Sequence, residues 1–140
     1  MIKLYRIGDM PENTMILYIV RSLKESELPE FAFIHVPELS PCQELFDTYK
    51  KLKATDNWNR ETFNSIYVPN FIRDMKYESA IEKMKYLVDE SYKRDIGLFC
   101  YCRDETMCHR SIVGGILKGM KANIDCPEEY LKYYRYYVNF

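Results

Sequence analysis

Cysteine, histidine and arginine side chains are concentrated in one short segment, CYCRDETMCHR, which covers residues 100–110. Three of the five cysteines lie in it, and Cys108 is followed directly by His109 and Arg110. A thiol at the start of a helix, beside a histidine and an arginine, has a lowered pKa and becomes a stronger nucleophile. If the protein is an enzyme, we therefore expect Cys108 and His109 to be its catalytic residues.

The same segment has the features of an anion site. A helix that begins near Cys108 leaves backbone N–H groups unpaired in its first turn, and Arg110 adds a full positive charge. Neither a Walker loop nor a phosphatase loop is present, because the glycine-rich loop with its lysine is missing and Cys102 and Arg110 are eight positions apart. The segment therefore predicts a phosphate or carboxylate site of another kind.

The segment also contains donors that zinc prefers. Cys100, Cys102, Cys108 and His109 form a C-x-C-x5-C-H pattern, but the C-x2-C spacing typical of structural zinc sites is absent. A metal site there would also stiffen a segment that the fold already buries, and Cys100 and Cys102, two apart on a strand and so about 6.5 to 7 Å apart along the chain, are too far apart for an easy disulfide. We therefore assign no metal ligand and predict no cofactor.

Three strands are predicted around this segment. They are Ile2 to Ile7, the nearly continuous apolar run FAFIHV at residues 31–36, which we expect to be buried on both faces, and Asp95 to Cys102. Apolar residues at helical spacing predict helices over the remainder of the chain, within residues 14–27, 41–53, 79–92 and 108–120.

Two regions are harder to interpret. Residues 54–76 predict two short helices that are broken before Pro69. The tyrosine-rich tail, Tyr130 to Phe140, predicts a C-terminal helix or strand that is docked by its rings, or a self-association surface. Strands separated by helices predict an α/β fold, a Rossmann-like three-layer sandwich with a small parallel sheet of at least three strands flanked by helices.

Ligands of such sheets bind at the carboxyl ends of the strands, where loops and helix N-termini converge. His35 lies at the end of the second predicted strand, where it suits an anion ligand or a general base. The residues that we expect to contact a ligand are Gly8, Asp9, His35, Tyr67, Cys100, Cys102, Arg103, Arg110 and Ser111.

Length and composition limit the class of protein. A chain of 140 residues, 47% of them hydrophobic, fits one α/β domain over residues 1–140. The net charge of −1 argues against a general attraction to nucleic acid. We expect free thiols, because five cysteines is an odd number. No leader or membrane-spanning pattern is present, so we expect a cytoplasmic protein without a membrane partner.

The chain resembles the domain-of-unknown-function 488 family of bacteria, archaea and phages. The resemblance rests on Leu98-Phe99-Cys100 and Cys108-His109-Arg110, on the opening Leu4 to Gly8, and on the segments at residues 39–52 and 67–75. It implies a Rossmann-like fold, a site at the Cys-His-Arg block, and a phage or bacterial source. Many relatives have Glu at the position of Cys102, which weakens the zinc interpretation.

Three functions are compatible with these patterns. The first is a protein that binds a nucleotide or another small phosphorylated ligand at residues 100–110, either to act on it or to sequester it, with Tyr67 or Trp58 stacking on a base. The second is a thiol-dependent enzyme that uses Cys108 as its nucleophile. The third is a nucleic-acid or protein interaction module that uses the aromatic C-terminal segment, and the balanced charge makes it the least favoured. A homo-oligomer is compatible with all three.

Overall fold

A five-stranded, all-parallel sheet forms the centre of the protein in a computed structural model, which describes residues 1–140 except the side chain of Glu27. The strands run in the order β3-β2-β4-β1-β5. Their bounds are Ile2–Arg6 (β1), Met15–Tyr18 (β2), Ile34–His35 (β3), Ile96–Cys100 (β4) and Ile124–Asp125 (β5). The predicted Rossmann-like α/β fold with a small parallel sheet is confirmed.

Helices connect and flank these strands. The α-helices are Gln43–Ala54 (α1), Arg60–Thr62 (α2), Val68–Asp74 (α3), Glu78–Glu90 (α4), His109–Gly119 (α5) and Leu131–Asn139 (α6). Single 3-10 turns lie at Glu25–Glu27, Pro37–Leu39, Glu105–Met107 and Glu128–Tyr130. Among the described residues, no helix combines the length and the apolar character that a membrane crossing requires.

The two faces of the sheet are packed differently. Alternate residues of β2 and β4, such as Leu17 and Leu98, belong to the main core together with all the buried apolar residues of the α-helices. The opposite face carries a layer of aromatic rings, in which Phe99 stacks on Tyr5 and Tyr18, and Tyr18 stacks on Phe33. Phe99 is fully buried in this layer.

The predictions for β1, α1, α4, β4 and α5 are confirmed within one or two residues at most ends. The prediction of a helix from residue 14 to 27 is wrong, because Met15–Tyr18 is strand β2. The run MILYIV is rich in β-branched and aromatic residues, and β2 is paired on both edges, so both of its faces carry apolar residues that also fit a helical spacing.

The second predicted strand is shorter and more exposed than expected. Only Ile34–His35 pairs, at the edge of the sheet, and Ile34 is 50% exposed, so the expectation of burial on both faces is wrong. The predicted break before Pro69 is also wrong. A π-helical turn at Phe63–Tyr67 leads into α3, and Pro69 falls in the first turn of α3, where its missing N–H needs no partner.

The C-terminal segment is helix α6, which packs on α5 through buried Tyr130 and Tyr133. Two glycines of α5 permit this close approach. A Cβ atom at Gly115 would lie 2.0 Å from the carbonyl oxygen of Tyr130, and one at Gly119 would lie 1.9 Å from the ring of Tyr134.

Candidate functional site

Three thiols meet at the carboxyl end of β4. Cys100 is the last residue of β4, Cys102 follows it in the loop, and Cys108 is the N-cap residue of α5. Their sulfur atoms all lie within 4.8 Å of one another, and the sulfurs of Cys100 and Cys102 are 3.9 Å apart. All three cysteines are free. The loop between β4 and α5 thus brings the clustered cysteines together in space.

His109 faces this thiol cluster from the first turn of α5. Its Nε2 hydrogen-bonds the carbonyl oxygen of Ile19. Because a carbonyl oxygen only accepts, Nε2 carries a proton, and in the corresponding neutral tautomer Nδ1 is the acceptor. Nδ1 lies 3.8 Å from the sulfur of Cys100 and 3.7 Å from that of Cys108. The lone pair of Nδ1 is therefore available to the thiols.

Arg110 lies beneath the thiols and is 2% exposed. It donates from Nη2 to the carbonyl oxygen of Cys102 over 2.6 Å and from Nε to the sulfur of Cys108 over 3.5 Å. Burial acts to lower the pKa of Arg110, but the nearby sulfurs, above all that of Cys108, raise it on balance. The guanidinium is therefore a buried positive charge that is committed to the loop and the thiols.

Hydrogen bonds and burial raise the pKa values of two of the three thiols. The bond that Cys100 donates to Cys102, together with burial, raises the pKa of Cys100 to about 12. Accepting that bond lowers the pKa of Cys102, but its hydrogen bond to Cys108 and its burial raise the pKa to about 12 on balance. Cys100 and Cys102 are therefore neutral thiols at physiological pH.

A small cavity of about 60 Å³, the inner pocket, lies against the thiols. Its walls include Tyr49, Tyr67 and Arg21 together with all three clustered cysteines and His109. Burial and the neighbouring thiols raise the pKa of Tyr67 well above its usual range, so its hydroxyl stays protonated. Arg21 donates from Nη2 to Pro37, but its buried Nε has no hydrogen-bond partner within the described structure.

A larger open cavity of about 500 Å³, the outer pocket, adjoins the inner one. Both are lined by Tyr49, Cys102 and Met107. The outer pocket has three exposed cationic residues in its walls, with an aromatic wall beside them. The cations are Arg6, Lys53 and Arg103, and the aromatic residues at the wall are Tyr49, Trp58 and Tyr101.

The charge of the outer pocket is positive. Of its three cationic side chains, none forms an ion pair in the part of the chain that the structure describes. Its one carboxylate, that of Asp104, accepts hydrogen bonds from the backbone N–H and the hydroxyl of Thr106. The hydrogen bond from Thr106 is the main cause that lowers the pKa of Asp104. An anion that enters the outer pocket therefore meets unpaired positive charge.

The predicted site residues are distributed over several places. Tyr67, Cys100, Cys102, Cys108 and His109 line the inner pocket, and Arg103 lines the outer pocket with Cys102.

The other predicted residues lie around these two pockets. Gly8 and Asp9 line a neighbouring surface pocket that shares Arg6 with the outer one. His35 forms a hydrogen bond through Nε2 with the carbonyl oxygen of Val20. The hydroxyl of buried Ser111 donates to the carbonyl oxygen of Cys108. Arg110 supports the thiols from below.

Sequence reasoning did not single out Arg6, Lys53, Tyr49 or Arg21 as site residues. Arg6 is the last residue of β1, so the rule for strand ends that selected Gly8 also applies to it. Arg21 was missed because residues 14–27 were interpreted as a helix. In the structure, Arg21 comes three residues after the end of strand β2, next to Val20. The contributions of Tyr49 and Lys53 from α1 depend on tertiary packing and have no signal in the sequence.

A model of the family DUF488-N3a, described as the active DUF488-N3 subclade, matches residues 2–121. The chain belongs to this family. The resemblance to domain of unknown function 488 is thus confirmed, and the matched DUF488-N3a region contains the three clustered cysteines, His109 and both pockets. Helix α6 lies beyond the match. The comparisons with curated proteins and with solved structures found no match.

Proposed function

We propose that the protein binds a nucleotide, or another small phosphorylated anion of similar size, in the outer pocket. The observation that carries the proposal is the set of three cations, Arg6, Lys53 and Arg103, which form no ion pair among the described residues and surround a pocket with aromatic walls. Phosphate groups are bound by arginine and lysine side chains. The cavity volume of about 500 Å³ lies within the range of small-molecule sites.

The aromatic wall suits a base. Trp58 is held in place by edge-on contacts with Tyr49 and Tyr67, whose ring centroids are 4.7 and 5.4 Å from that of the indole. A ring that is fixed in this way can stack on a nucleobase without a further loss of conformational freedom. Tyr101 is a second candidate for stacking. Tyr67 supports Trp58 from below, which is a different role from the stacking role first considered for it.

The positive charge for the ligand comes from the rim of the site. Arg110 and the start of α5 were the first candidates for an anion cradle, but the guanidinium of Arg110 is buried against Cys102 and Cys108. Arg103 is exposed at the rim, and the unpartnered Nε of Arg21 offers a donor at the inner pocket. A phosphate can reach these donors without breaking an existing ion pair.

The thiol cluster lies next to the proposed ligand site. Cys102 and Tyr49 line both pockets, so a group of the ligand that points inward lies next to the thiols.

Isothermal titration calorimetry and thermal shift with mononucleotides, the matching nucleosides and inorganic phosphate test the proposal. We expect at least one nucleotide to bind more tightly than its nucleoside. A ligand at 100 times its Kd stabilises the folded state by about 2.7 kcal/mol. The double variant Lys53→Gln/Arg103→Gln should lose this stabilisation, because both residues are exposed and their loss removes charge without disturbing the core.

Lys51→Gln is the matched control. Lys51 is an exposed lysine of the same helix and lies outside the outer pocket. The control variant should bind the nucleotide as the wild type does. Equal stabilisation of the wild type and the double variant by every ligand, or no stabilisation of either, would show that the outer pocket is not a phosphoanion site.

A further inference from the structure

We propose that the sulfur atoms of Cys100, Cys102 and Cys108, with Nδ1 of His109 as the fourth donor, form a binding site for a zinc ion. This site goes beyond nucleotide binding in the outer pocket and can be tested without a nucleotide. Thiolate and imidazole ligands in a set of four are typical of tetrahedral zinc.

Most of the distances between the donors are close to those of a tetrahedral zinc site. A Zn–S bond of about 2.3 Å in tetrahedral geometry places two sulfurs about 3.8 Å apart, and a Zn–N bond of about 2.0 Å places the nitrogen about 3.5 Å from each sulfur. The sulfurs of Cys100 and Cys102 are 3.9 Å apart, and the three sulfurs lie within 4.8 Å of one another. Nδ1 of His109 is 3.8 and 3.7 Å from the sulfurs of Cys100 and Cys108, but His109 lies outside the group of donors that are all within 4.8 Å of one another, so Cys102 and the imidazole must approach each other when the metal binds.

The end of β4 explains how this spacing arises. The C-x-C pair would be too wide on a continuous strand, where residues two apart are about 6.5 to 7 Å apart. Cys102, however, lies beyond the last residue of β4, where the chain bends toward α5. Its sulfur can therefore converge on that of Cys100, which the sequence pattern alone did not predict.

His109 is oriented as zinc-binding histidines usually are. In such sites one ring nitrogen binds the metal, and the other donates to a carbonyl or carboxylate oxygen that fixes the tautomer. Here Nε2 donates to the carbonyl oxygen of Ile19, and Nδ1 faces the thiols. The ring of Phe71 packs against the imidazole with centroids 5.4 Å apart, which restricts its rotation.

Arg110 balances the charge of the occupied site. Three thiolates and one Zn²⁺ leave a single negative charge in excess, and the buried guanidinium supplies a single positive charge with its Nε 3.5 Å from the sulfur of Cys108. Binding replaces the thiol protons by the metal and releases them to solvent. The site therefore needs no further charged group in this buried environment.

Cobalt substitution tests the proposal on the full-length chain. Reduced, chelator-treated protein is titrated with Co²⁺ and then with Zn²⁺ under anaerobic conditions. We expect one equivalent of Co²⁺ to give thiolate-to-cobalt charge-transfer bands and the intense visible bands of tetrahedral coordination, and one equivalent of Zn²⁺ to abolish them. The serine variants of Cys100, Cys102 and Cys108 should each bind Co²⁺ at least about tenfold more weakly, since loss of an outer-shell partner alone has an effect of that size.

Cys42→Ser and Cys126→Ser are the matched controls, because these free cysteines lie outside the cluster. Both variants should show the wild-type cobalt spectrum. Alkylation of the wild type, mapped by peptide mass, adds a readout that does not depend on any variant folding. Zinc should protect the three clustered cysteines and leave Cys42 and Cys126 unprotected.

Two results would overturn the zinc site. One is the absence of thiolate charge-transfer bands in the wild type. The other is alkylation of Cys108 at the same rate with and without zinc, which would instead favour a free thiol nucleophile. Nucleotide binding to chelator-treated protein, measured separately, shows whether the outer pocket works when the metal site fails.

Discussion

The inner and outer pockets share a wall but use their polar side chains in opposite ways. Around the inner pocket the polar groups are mostly bonded to the protein itself, as in His109 and the thiols, and the buried Arg110 behind them is bonded to Cys102 and Cys108. Around the outer pocket, Arg6, Lys53 and Arg103 are exposed and form no ion pair within the part of the chain that the structure describes. Side chains of the inner pocket are therefore expected to determine stability, and those of the outer pocket to determine ligand binding.

Replacing Phe71 should give the largest loss of stability. The ring is fully buried and packs on both Tyr67 and His109. Phe71→Ala should lower the free energy of unfolding by about 3 to 5 kcal/mol, since it removes the transfer free energy of the ring and leaves a cavity. Urea unfolding measures the loss. Phe140→Ala, at a ring that is 50% exposed, is the control and should change stability by no more than about 0.5 kcal/mol.

The arginine pair Arg110 and Arg103 tests the contrast directly. Arg110→Ala should lower the free energy of unfolding by about 1 to 3 kcal/mol, because the part-buried carbonyl of Cys102 loses its donor. Arg103→Ala should leave stability within about 0.5 kcal/mol and weaken nucleotide binding instead. The contrast between the pockets fails if Arg103→Ala destabilises the protein as much as Arg110→Ala does.

Tyr130 anchors the loop between β4 and α5, because its hydroxyl donates to the carboxylate of Glu105 over 2.7 Å. Burial, and next this hydrogen bond, raise the pKa of Tyr130 above its usual value. A raised pKa in the folded state adds stability below the unfolded pKa of about 10, and this stability is lost as the pH rises further. Unfolding followed across alkaline pH should therefore show a shallower fall in Tyr130→Phe than in the wild type.

Tyr136→Phe is the control for this pH dependence, because Tyr136 is 42% exposed. It should follow the wild-type curve. An alkaline fall of equal slope in Tyr130→Phe would show that the hydroxyl of Tyr130 does not contribute to the pH dependence.

Salt should have the smallest effect and should act on the outer pocket. Raising the ionic strength from about 0.01 to about 0.15 M shortens the Debye length from about 30 to about 8 Å. Nucleotide affinity should fall severalfold over this range, as measured by calorimetry. The dependence should be flatter in Lys53→Gln/Arg103→Gln and unchanged in Lys51→Gln. Identical salt dependence in the double variant would mean that other charges hold the ligand.

The elements that could be predicted from the sequence are those with one clear periodicity. Helix α4 buries one face, α5 carries its large apolar residues at helical spacing although it is buried all round from His109 to Leu117, and β4 is a short apolar run between turn residues. Strand β2 was missed because MILYIV is apolar in every position, and a strand that is buried on both faces lacks the alternation that identifies strands.

The candidate site could be predicted in part. The segment at residues 100–110 was found because its thiols, histidine and arginine are neighbours in the sequence. Which cation is buried and which is free could not be predicted, since this depends on the hydrogen bonds of Arg110 to Cys102 and Cys108. The outer pocket could not be predicted either, because Arg6, Lys53 and Arg103 come from distant parts of the chain.

The central position of β4 has a consequence for the dynamics of the thiols. This strand is paired with β1 and β2 on its two edges and is buried over all five residues. Amide hydrogens in such a strand exchange only through the largest unfolding events. Hydrogen exchange at Leu98 and Phe99 should therefore be among the slowest in the chain, while the loop at residues 101–107 exchanges faster. Cys100 thus gives the cluster a fixed end, and opening of the loop moves Cys102 relative to it.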